Sequence, residues 1–523
     1  MNTLLSLYEK QLQISQPGSA VLTVVDSHLE PVSYDMPALD QMIRRAASCL
    51  KAQGCEKGDR ILISVRESIP VWAFFWGALR LGAVPAVLFP GLGSGALEVR
   101  LKAADACYLV TDADPAKISD NICFPDTLKK VILTGKSSGE KNFVHWQQED
   151  LLLWDGAAAV DPDDNAFIVF TSGTTGKPKP VVHRHAIADP IVKSMRNILH
   201  AGPEDVYWCT AHPAWITGTV YGIIGPLLCG IRSIQYEGNF HAKRWMPILQ
   251  DQKVSLWYTA PTALRALMRE EKGFFSGYDF SALKQIYSIG EPLSAKVYEW
   301  GSEIFHQPVY DTWFQTECGT VRIANQPGIP LTPGRMGLPI DDTEIVPGED
   351  IPHEAVRTAG RDADIRRLYL KAGFASMFRE YYKMPAETAE KTKDGLFDTG
   401  DMVSVGADGT IRFEGRADEV INTSGHLVGP MEVEQVLVSD PAVLSAAVVG
   451  EPDDLLYEAP AAFLVLAEGQ EWSKPLETRL KVAVNNNVSA YAVPKKFYLV
   501  GEIPLTMSGK INRAELKNRF FPG

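Results

Sequence analysis

The sequence predicts an α/β protein, with a large layered α/β domain over residues 1–416 and a small α+β domain over residues 417–523. Three observations predict it. A chain of 523 residues is too long for a single core. Its longer N-terminal part alternates helical periodicity with apolar runs of strand length, as layered α/β folds do. Its last stretch changes character, to short apolar strands around a proline-opened helix.

Taken in order, Leu39, Met42, Ile43, Ala46 and Leu50 recur at helical spacing, and after Gly58 the run 60–65 reads as a buried strand. A second unit repeats the pattern, with a helix over 71–81, a turn at Gly82 and a strand over 83–88. Further on, Pro261 opens a helix carrying Leu264, Leu267 and Met268. The stretch 347–366, dense in Pro, Gly and charge, reads as a surface excursion, and the domain boundary falls at 416–419. Beyond it, Pro430 opens a helix with Val433, Val436 and Leu437 on one face, and 446–449 and 461–466 read as strands. That unit has roughly a hundred residues, an ordinary domain size.

Composition narrows the function. A net charge of −13 argues against a surface that neutralises phosphate backbones, so no nucleic-acid partner is expected. The seven cysteines are scattered, odd in number and never spaced CxxC, which argues against a disulfide framework or zinc knuckle and fits a reducing, cytoplasmic compartment. Glu9 and Lys10 interrupt the start before an apolar run builds, and the longest apolar stretch, 215–231, is broken by four glycines and Pro226. Neither a signal peptide nor a membrane span is expected.

The chemistry begins at 166–170, an uninterrupted apolar strand that runs into Thr171, Ser172, Gly173, Thr174, Thr175, Gly176, Lys177, Pro178 and Lys179. Small residues let backbone wrap an anion, hydroxyls add donors and lysines add charge. It is not a Walker loop, because Thr171 stands at the first glycine and Pro178 follows the lysine. A flexible connector is the alternative for such a run; the flanking strand and the Lys-Pro-Lys exit favour phosphate.

This loop resembles the phosphate loop of the adenylate-forming superfamily, which includes acyl-CoA synthetases, peptide-synthetase adenylation domains and luciferases, with Pro180 where those loops carry Gly. Further motifs follow in that family's order across residues 35–515. The resemblance implies ATP, Mg2+ and coenzyme A as cofactors, a small carboxylic acid as substrate, and a mobile C-terminal domain. The segment Ser288, Ile289, Gly290, Glu291, Pro292 resembles the one that holds adenine and walls the acyl pocket. The segment Asp311, Thr312, Trp313, Phe314, Gln315, Thr316, Glu317 resembles the Q-T-E motif, in which Thr316 meets phosphate and Glu317 holds magnesium; taken alone, Glu317 also reads as a solvated turn residue. Cys318 reads as a small filler.

Asp401, in a Thr-Gly-Asp motif, is expected to accept from the ribose hydroxyls, Arg416 to lie near ribose and phosphate, and Asp418 to be the hinge between domains or, read bottom-up, a helix cap. Ser424, Gly425 and His426 belong to a motif that turns in for thioester formation along coenzyme A, and Leu427 replaces the Arg of acetyl-CoA synthetases. Lys510, in a Ser-Gly-Lys setting, is expected between the carboxylate and the α-phosphate.

The segment containing Trp215, Ile216 and Thr217 resembles the version found in AMP-forming acetyl-CoA synthetases, and Ile289 and Phe314 complete the expected acyl pocket. Phe314 stands where acetate-specific members carry Trp and leaves somewhat more room, while Ile216 and Ile289 take some back, which together point to a short acyl chain. His183 and His185 show no third ligand and read as ordinary loop residues rather than a metal site. Other readings stay open: an aryl or medium-chain ligase, an enzyme loading a separate carrier protein, since the chain lacks a G-x-D-S-L carrier signature, or a non-catalytic ATP-binding regulator, suggested by Leu427 and Pro180.

Overall fold

The computed structural model describes the chain apart from residues 115–121, 136–142, 147–152, 173–177, 272, 341–342, 348–364, 418, 424–425, 454–456, 506–510 and 522–523. It divides into two compact units. The larger comprises Met1–Ile289, Gly301–Gln326 and Gly373–Glu390, and the smaller Gly290–Trp300, Pro327–Ala372 and Lys391–Gly523.

The larger unit contains two mainly parallel sheets. Across the first, the strands run Ile323–Ala324, Val309–Trp313, Gln285–Ser288, Leu256–Thr259, Val206–Cys209, Arg232–Tyr236, Ala20–Val25 and Pro31–Asp35. The pairs at either end are antiparallel and the rest parallel. The second is wholly parallel, in the order Val84–Val87, Arg60–Ser64, Tyr108–Thr111, Lys130–Leu133, Phe143–His145. Strands covered on both faces need continuous apolar runs, which is why Arg60–Ser64 and Val84–Val87 were visible in the sequence.

The expected helices are Met36–Ala52 and Ser68–Arg80. Asp35 caps the first through its side chain, which accepts from Ala38 N. The second is buried from Pro70 to Arg80. The two pack so closely that a Cβ at Gly77 would lie 2.9 Å from Ala47 N, a position only glycine fills.

A third, antiparallel sheet carries the ends of the predicted phosphate loop. Asn165–Ser172 and Pro178–Arg184 form a hairpin, and Glu380–Tyr381 pairs with the second strand. Alternation assigns its two faces. Ile168, Phe170 and Val182 enter a core with Leu62, Val84, Leu101 and Val131, each such burial contributing about 1.5–3 kcal/mol. Phe167, Val169 and Thr171, paired with His183, Val181 and Lys179, occupy the other face. His183 and His185 are therefore not loop residues: His183 lies in the strand, His185 in the following 3-10 turn, and both are fully buried.

In the smaller unit, Ile345–Pro347, Arg366–Lys371, Leu396–Val405 and Ile411–Arg416 form one antiparallel sheet, so the excursion predicted at 347–366 starts and ends in paired strands. A second sheet runs His426–Val428, Ile421–Thr423, Tyr457–Leu466, Val443–Asp453, with Lys496–Leu499 parallel to Tyr457–Leu466. In chain order, Ile411–Arg416 is the last strand of the first of these sheets and Ile421–Thr423 the first strand of the second. Helices Pro430–Ser439 and Lys474–Asn487 bury Val433, Leu437, Leu476, Leu480 and Val484 against Val448, Ala462 and Leu464. Among the described residues, no helix is long and apolar enough to cross a membrane.

Candidate active site

In the larger unit, the predicted phosphate loop starts and ends in the two strands of the hairpin. Its first and last residues are cross-strand partners, Thr171 with Lys179 and Ser172 with Pro178. Gly173, Thr174, Thr175, Gly176 and Lys177 lie outside the described residues.

The sheet face bearing Lys179 and His183 meets the segment Gln315–Gly319. Thr316–Cys318 form a 3-10 turn, and Gly319 leaves it at φ 74°, where a Cβ would lie 2.3 Å from Ser376 O. Bonds from distant segments hold each carbonyl. His183 Nε2 donates to Thr316 O at 2.8 Å, Phe378 N to Glu317 O at 2.8 Å, and Ser376 Oγ to Cys318 O at 2.7 Å. Arg322 Nη2 donates in turn to Ser376 Oγ at 2.9 Å.

Glu317 is 9% exposed, and Tyr381 Oη donates to its Oε1 at 2.6 Å, so it is no solvated turn residue. Lys179 Nζ lies 5.1 Å from the centroid of the same Tyr381 ring. Burial drives the His183 pKa down to about 4, against the Thr316 carbonyl, which favours the charged form. The ring is therefore neutral, with its proton on Nε2. His183 also stacks on Phe167 at 5.0 Å.

Asp311 and Thr312 lie on the neighbouring strand, both buried. Thr312 Oγ1 donates to Ser288 O at 2.7 Å and so accepts from Tyr258 Oη at 2.7 Å, while Ser288 Oγ donates to Asp311. Thr312 thus ties strand to strand. Gln315 caps the turn, its carbonyl accepting from Cys318 N.

The expected acyl residues lie in the same unit. Trp215 packs against Phe89 at 5.1 Å, and Phe89 stacks on His212 at 4.8 Å. Ile216 and Thr217 are buried and lead into a π-helical segment, Gly218–Ile224. From that segment Tyr221 meets Phe314 edge-on at 5.6 Å. The Tyr221 hydroxyl is fixed by Ser194 Oγ at 2.6 Å and by Val321 N at 2.9 Å. Ile289, also buried, continues the strand Gln285–Ser288, its N donating to Thr259 O.

The smaller unit holds the remaining expected residues. Asp401 and Arg416 are cross-strand partners, with Arg416 Nη1 donating to Asp401 Oδ1 at 2.6 Å and to Thr399 O at 3.0 Å. Between them Gly400 has φ 71°, and a Cβ there would lie 2.8 Å from Arg416 Nη2. Gly290 is left-handed at φ 99°, and Glu291 and Pro292 follow it, half-buried. Arg513 forks onto Glu434 at 2.7 and 2.8 Å and reaches Glu419 at 3.1 Å, anchoring the end of the Lys510 motif. Asp418, Ser424, Gly425 and Lys510 lie outside the described residues, as do the side chains of Ser172, His426 and Leu427.

Sequence reasoning missed Tyr381, Tyr221 and the support role of His183. The period-two run Lys179, Val181, His183 was a usable signal for the last, since it places the three on one face of a strand.

Residues 17–347 match the family described as AMP-binding enzyme, and residues 432–510 its C-terminal domain. The chain is 33% identical over 497 residues to the acetyl-coenzyme A synthetase of Bacillus subtilis (strain 168), covering 92% of this chain and 84% of that one. Its fold resembles that of the anthranilate CoA ligase AuaEII in complex with anthranoyl-AMP, with TM-score 0.86 and 23% identity over 99% of this chain and 97% of that chain. The acyl-CoA synthetase of Brucella canis gives TM-score 0.71 and 27% identity over 99% and 93%. With both regions matched and a third of its residues shared with a curated relative along nearly its whole length, the chain belongs to the AMP-binding enzyme family.

Proposed function

We propose that this enzyme uses ATP to convert a short-chain carboxylic acid, such as acetate, propionate or butyrate, into its acyl-adenylate and then transfers the acyl group to coenzyme A. The observation that carries the reading is the Gln315–Gly319 turn, clamped against the face of the hairpin that bears Lys179 and presenting a buried carboxylate.

A carboxylate oxygen attacks the α-phosphorus as the bond to the β-phosphate oxygen breaks, and pyrophosphate leaves with the electron pair. In the second step the thiol sulfur attacks the acyl carbon, the bond from that carbon to the phosphate oxygen of AMP breaks, AMP leaves with the electron pair, and the thiol proton is released to water. The protein's task is to hold anions together and offset their charge, through proximity and fixed electrostatics. Lys179 and the loop 171–179 would face the phosphates, with the Thr316 hydroxyl beside them. Asp401 would select the ribose, with Arg416 orienting it, and Gly290, Glu291, Pro292, Asp311, Thr312 and Gln315 would frame the nucleotide.

Magnesium fits Glu317. Among the described residues there is no cluster of three or more metal-ligating side chains, and a cation that keeps water and takes substrate phosphates needs only one or two carboxylates. The Tyr381 hydroxyl donates to Oε1, and no other donor among the described residues is bonded to the carboxylate, so its remaining lone pairs would be open to the ion. When bound, magnesium neutralises charge on the leaving pyrophosphate.

The motif positions of Lys510 and Asp418 support the two-step scheme, in which Lys510 serves adenylation and residues 417–523 turn about Asp418 to bring Ser424, Gly425 and His426 to the thiol step. Trp215, Ile216, Thr217, Ile289 and Phe314, all bulky or buried, favour a short chain. A reducing, cytoplasmic setting fits the seven free thiols.

The test is pyrophosphate release and thioester formation with acetate, propionate, butyrate, hexanoate and benzoate, each with coenzyme A or a phosphopantetheinylated carrier protein. A preference for hexanoate or benzoate sinks the short-chain reading, transfer only to the carrier sinks the coenzyme A assignment, and no pyrophosphate with any acid sinks the enzyme reading. Lys510→Ala should abolish adenylation and spare thioester formation from supplied acyl-adenylate. Equal loss of both half-reactions overturns its role.

A further inference from the structure

Strand register puts one side chain where two parts of the site meet. Tyr381 lies directly opposite Val181 in the antiparallel pair Glu380–Tyr381 with Pro178–Arg184. Lys179 and His183 are the next residues on that face in either direction, and diagonal cross-strand neighbours are within reach of an aromatic ring. The Tyr381 ring accordingly lies beneath Lys179 Nζ, 5.1 Å from its centroid, while its hydroxyl donates to Glu317 Oε1 at 2.6 Å. Tyr381 is itself 4% exposed, its ring lies 4.9 Å from that of Phe378, and its backbone N donates to Thr388 Oγ1. The side chain is thus pinned before it touches either functional group.

We propose that Tyr381 is a positioning residue that sets the Glu317 carboxylate for its divalent cation and holds Lys179 of the phosphate loop in step with it; this rests on the reading of Glu317 as the magnesium ligand. A charge-assisted O–H···O− bond at this distance fixes the rotamer of the Glu317 carboxylate and leaves most of its lone pairs open, so the group would meet the ion already oriented. Partners that orient a ligating carboxylate typically change metal affinity or activity 10- to 100-fold when removed. The ring acts separately, through the face on which the ammonium rests. A purely structural aromatic would not divide its effects along those lines.

The experiment compares Tyr381→Phe, Tyr381→Leu and Glu317→Gln with the unaltered enzyme. Binding of Mn2+ with ATP is followed by electron paramagnetic resonance, the Mg2+ dependence of pyrophosphate release and the KM for ATP are measured, and thermal melting checks folding. Tyr381→Phe keeps the ring and loses the hydroxyl. It should weaken Mn2+ binding and raise the Mg2+ half-saturation roughly 10-fold or more, with the KM for ATP at saturating Mg2+ nearly unchanged. Tyr381→Leu should add a several-fold rise in that KM. Should the leucine variant not fold, Lys179→Met provides the second arm and should raise the KM for ATP while leaving the metal half-saturation alone. Unaltered Mn2+ binding in Tyr381→Phe, with binding weakened in Glu317→Gln, overturns the positioning role only. Unaltered Mn2+ binding in Glu317→Gln overturns the ligand reading beneath it.

Discussion

Phe314 and Gln315 are neighbours in the chain, yet they open two regions held together in different ways. From Gln315 to Gly319 the backbone is fixed by directional bonds, with His183, Phe378 and Ser376 each engaging a carbonyl and Tyr381 the carboxylate. Phe314 is fixed by shape, its ring against the edge of Tyr221, much as Trp215 lies against Phe89. The contrast matches what the proposed substrates would require. Phosphates and a metal ion demand donors and charges at set points, where a small displacement removes most of the benefit. An acyl chain asks only for volume, and a well-packed apolar wall sets its length by graded exclusion. The chemistry should therefore fail abruptly on one side of residue 315 and drift on the other.

Glu317→Gln should have the largest effect. It preserves volume and removes the charge, and adenylation should fall roughly 100- to 1,000-fold, the loss seen when one preorganised electrostatic group is deleted. The order of preference among acids should not change. Pyrophosphate release across the acid panel measures both, and a reordered panel would show that the two regions are not separable.

Next in size is Phe314. Phe314→Trp should shift preference toward acetate and Phe314→Gly should admit longer acids, by about 1 to 3 kcal/mol per methylene, or roughly 10- to 200-fold in relative kcat/KM. The Mg2+ dependence should stay where it is. An unchanged ranking would remove Phe314 from the acyl wall, and Tyr221, whose edge it meets, would then have no part in chain-length selection.

What could be read in advance follows the same divide between local and distant causes. The strand Arg60–Ser64, the helix Met36–Ala52 and the proline-opened helices Pro261–Leu267 and Pro430–Ser439 announce themselves within a dozen residues, through period and caps. The motif residues could be named because loop chemistry is written in short runs. Their supports could not. His183 finds Thr316 133 residues away and Tyr381 finds Glu317 64 residues away, and neither contact leaves a mark on local periodicity. His183 read as a loop residue because two histidines around an arginine after a glycine-rich turn carry no helical signal. Only the hairpin register Phe167–His183 reveals a buried strand position. Thr312 belongs to both kinds, since its motif suggests a nucleotide contact and its hydroxyl also bonds Tyr258 and Ser288, partners the motif does not show.

The smallest effect tests what the two regions share. His183, against the Thr316–Cys318 turn, and His212, against Phe89, are each driven by burial to a pKa of about 4, against about 6.5 for an exposed imidazole. His185, buried in the same way, also falls to about 4. A group with a lowered folded-state pKa stays neutral in the native protein while the unfolded chain takes up a proton. Stability from these rings is then fully present above pH 6.5 and is lost as the pH falls toward 4. Each contributes a slope of up to about 1.4 kcal/mol per pH unit in that window. Urea unfolding at several pH values between 4.5 and 7 measures it. His212→Gln and His183→Gln should each flatten the pH dependence by up to one proton's worth, to a similar degree. Only the His183 variant should also raise the KM for ATP at neutral pH, because only its ring bonds the backbone of the Thr316–Cys318 turn. If both variants alter that KM alike, the two regions are coupled through their packing, and directional bonding is not what distinguishes them.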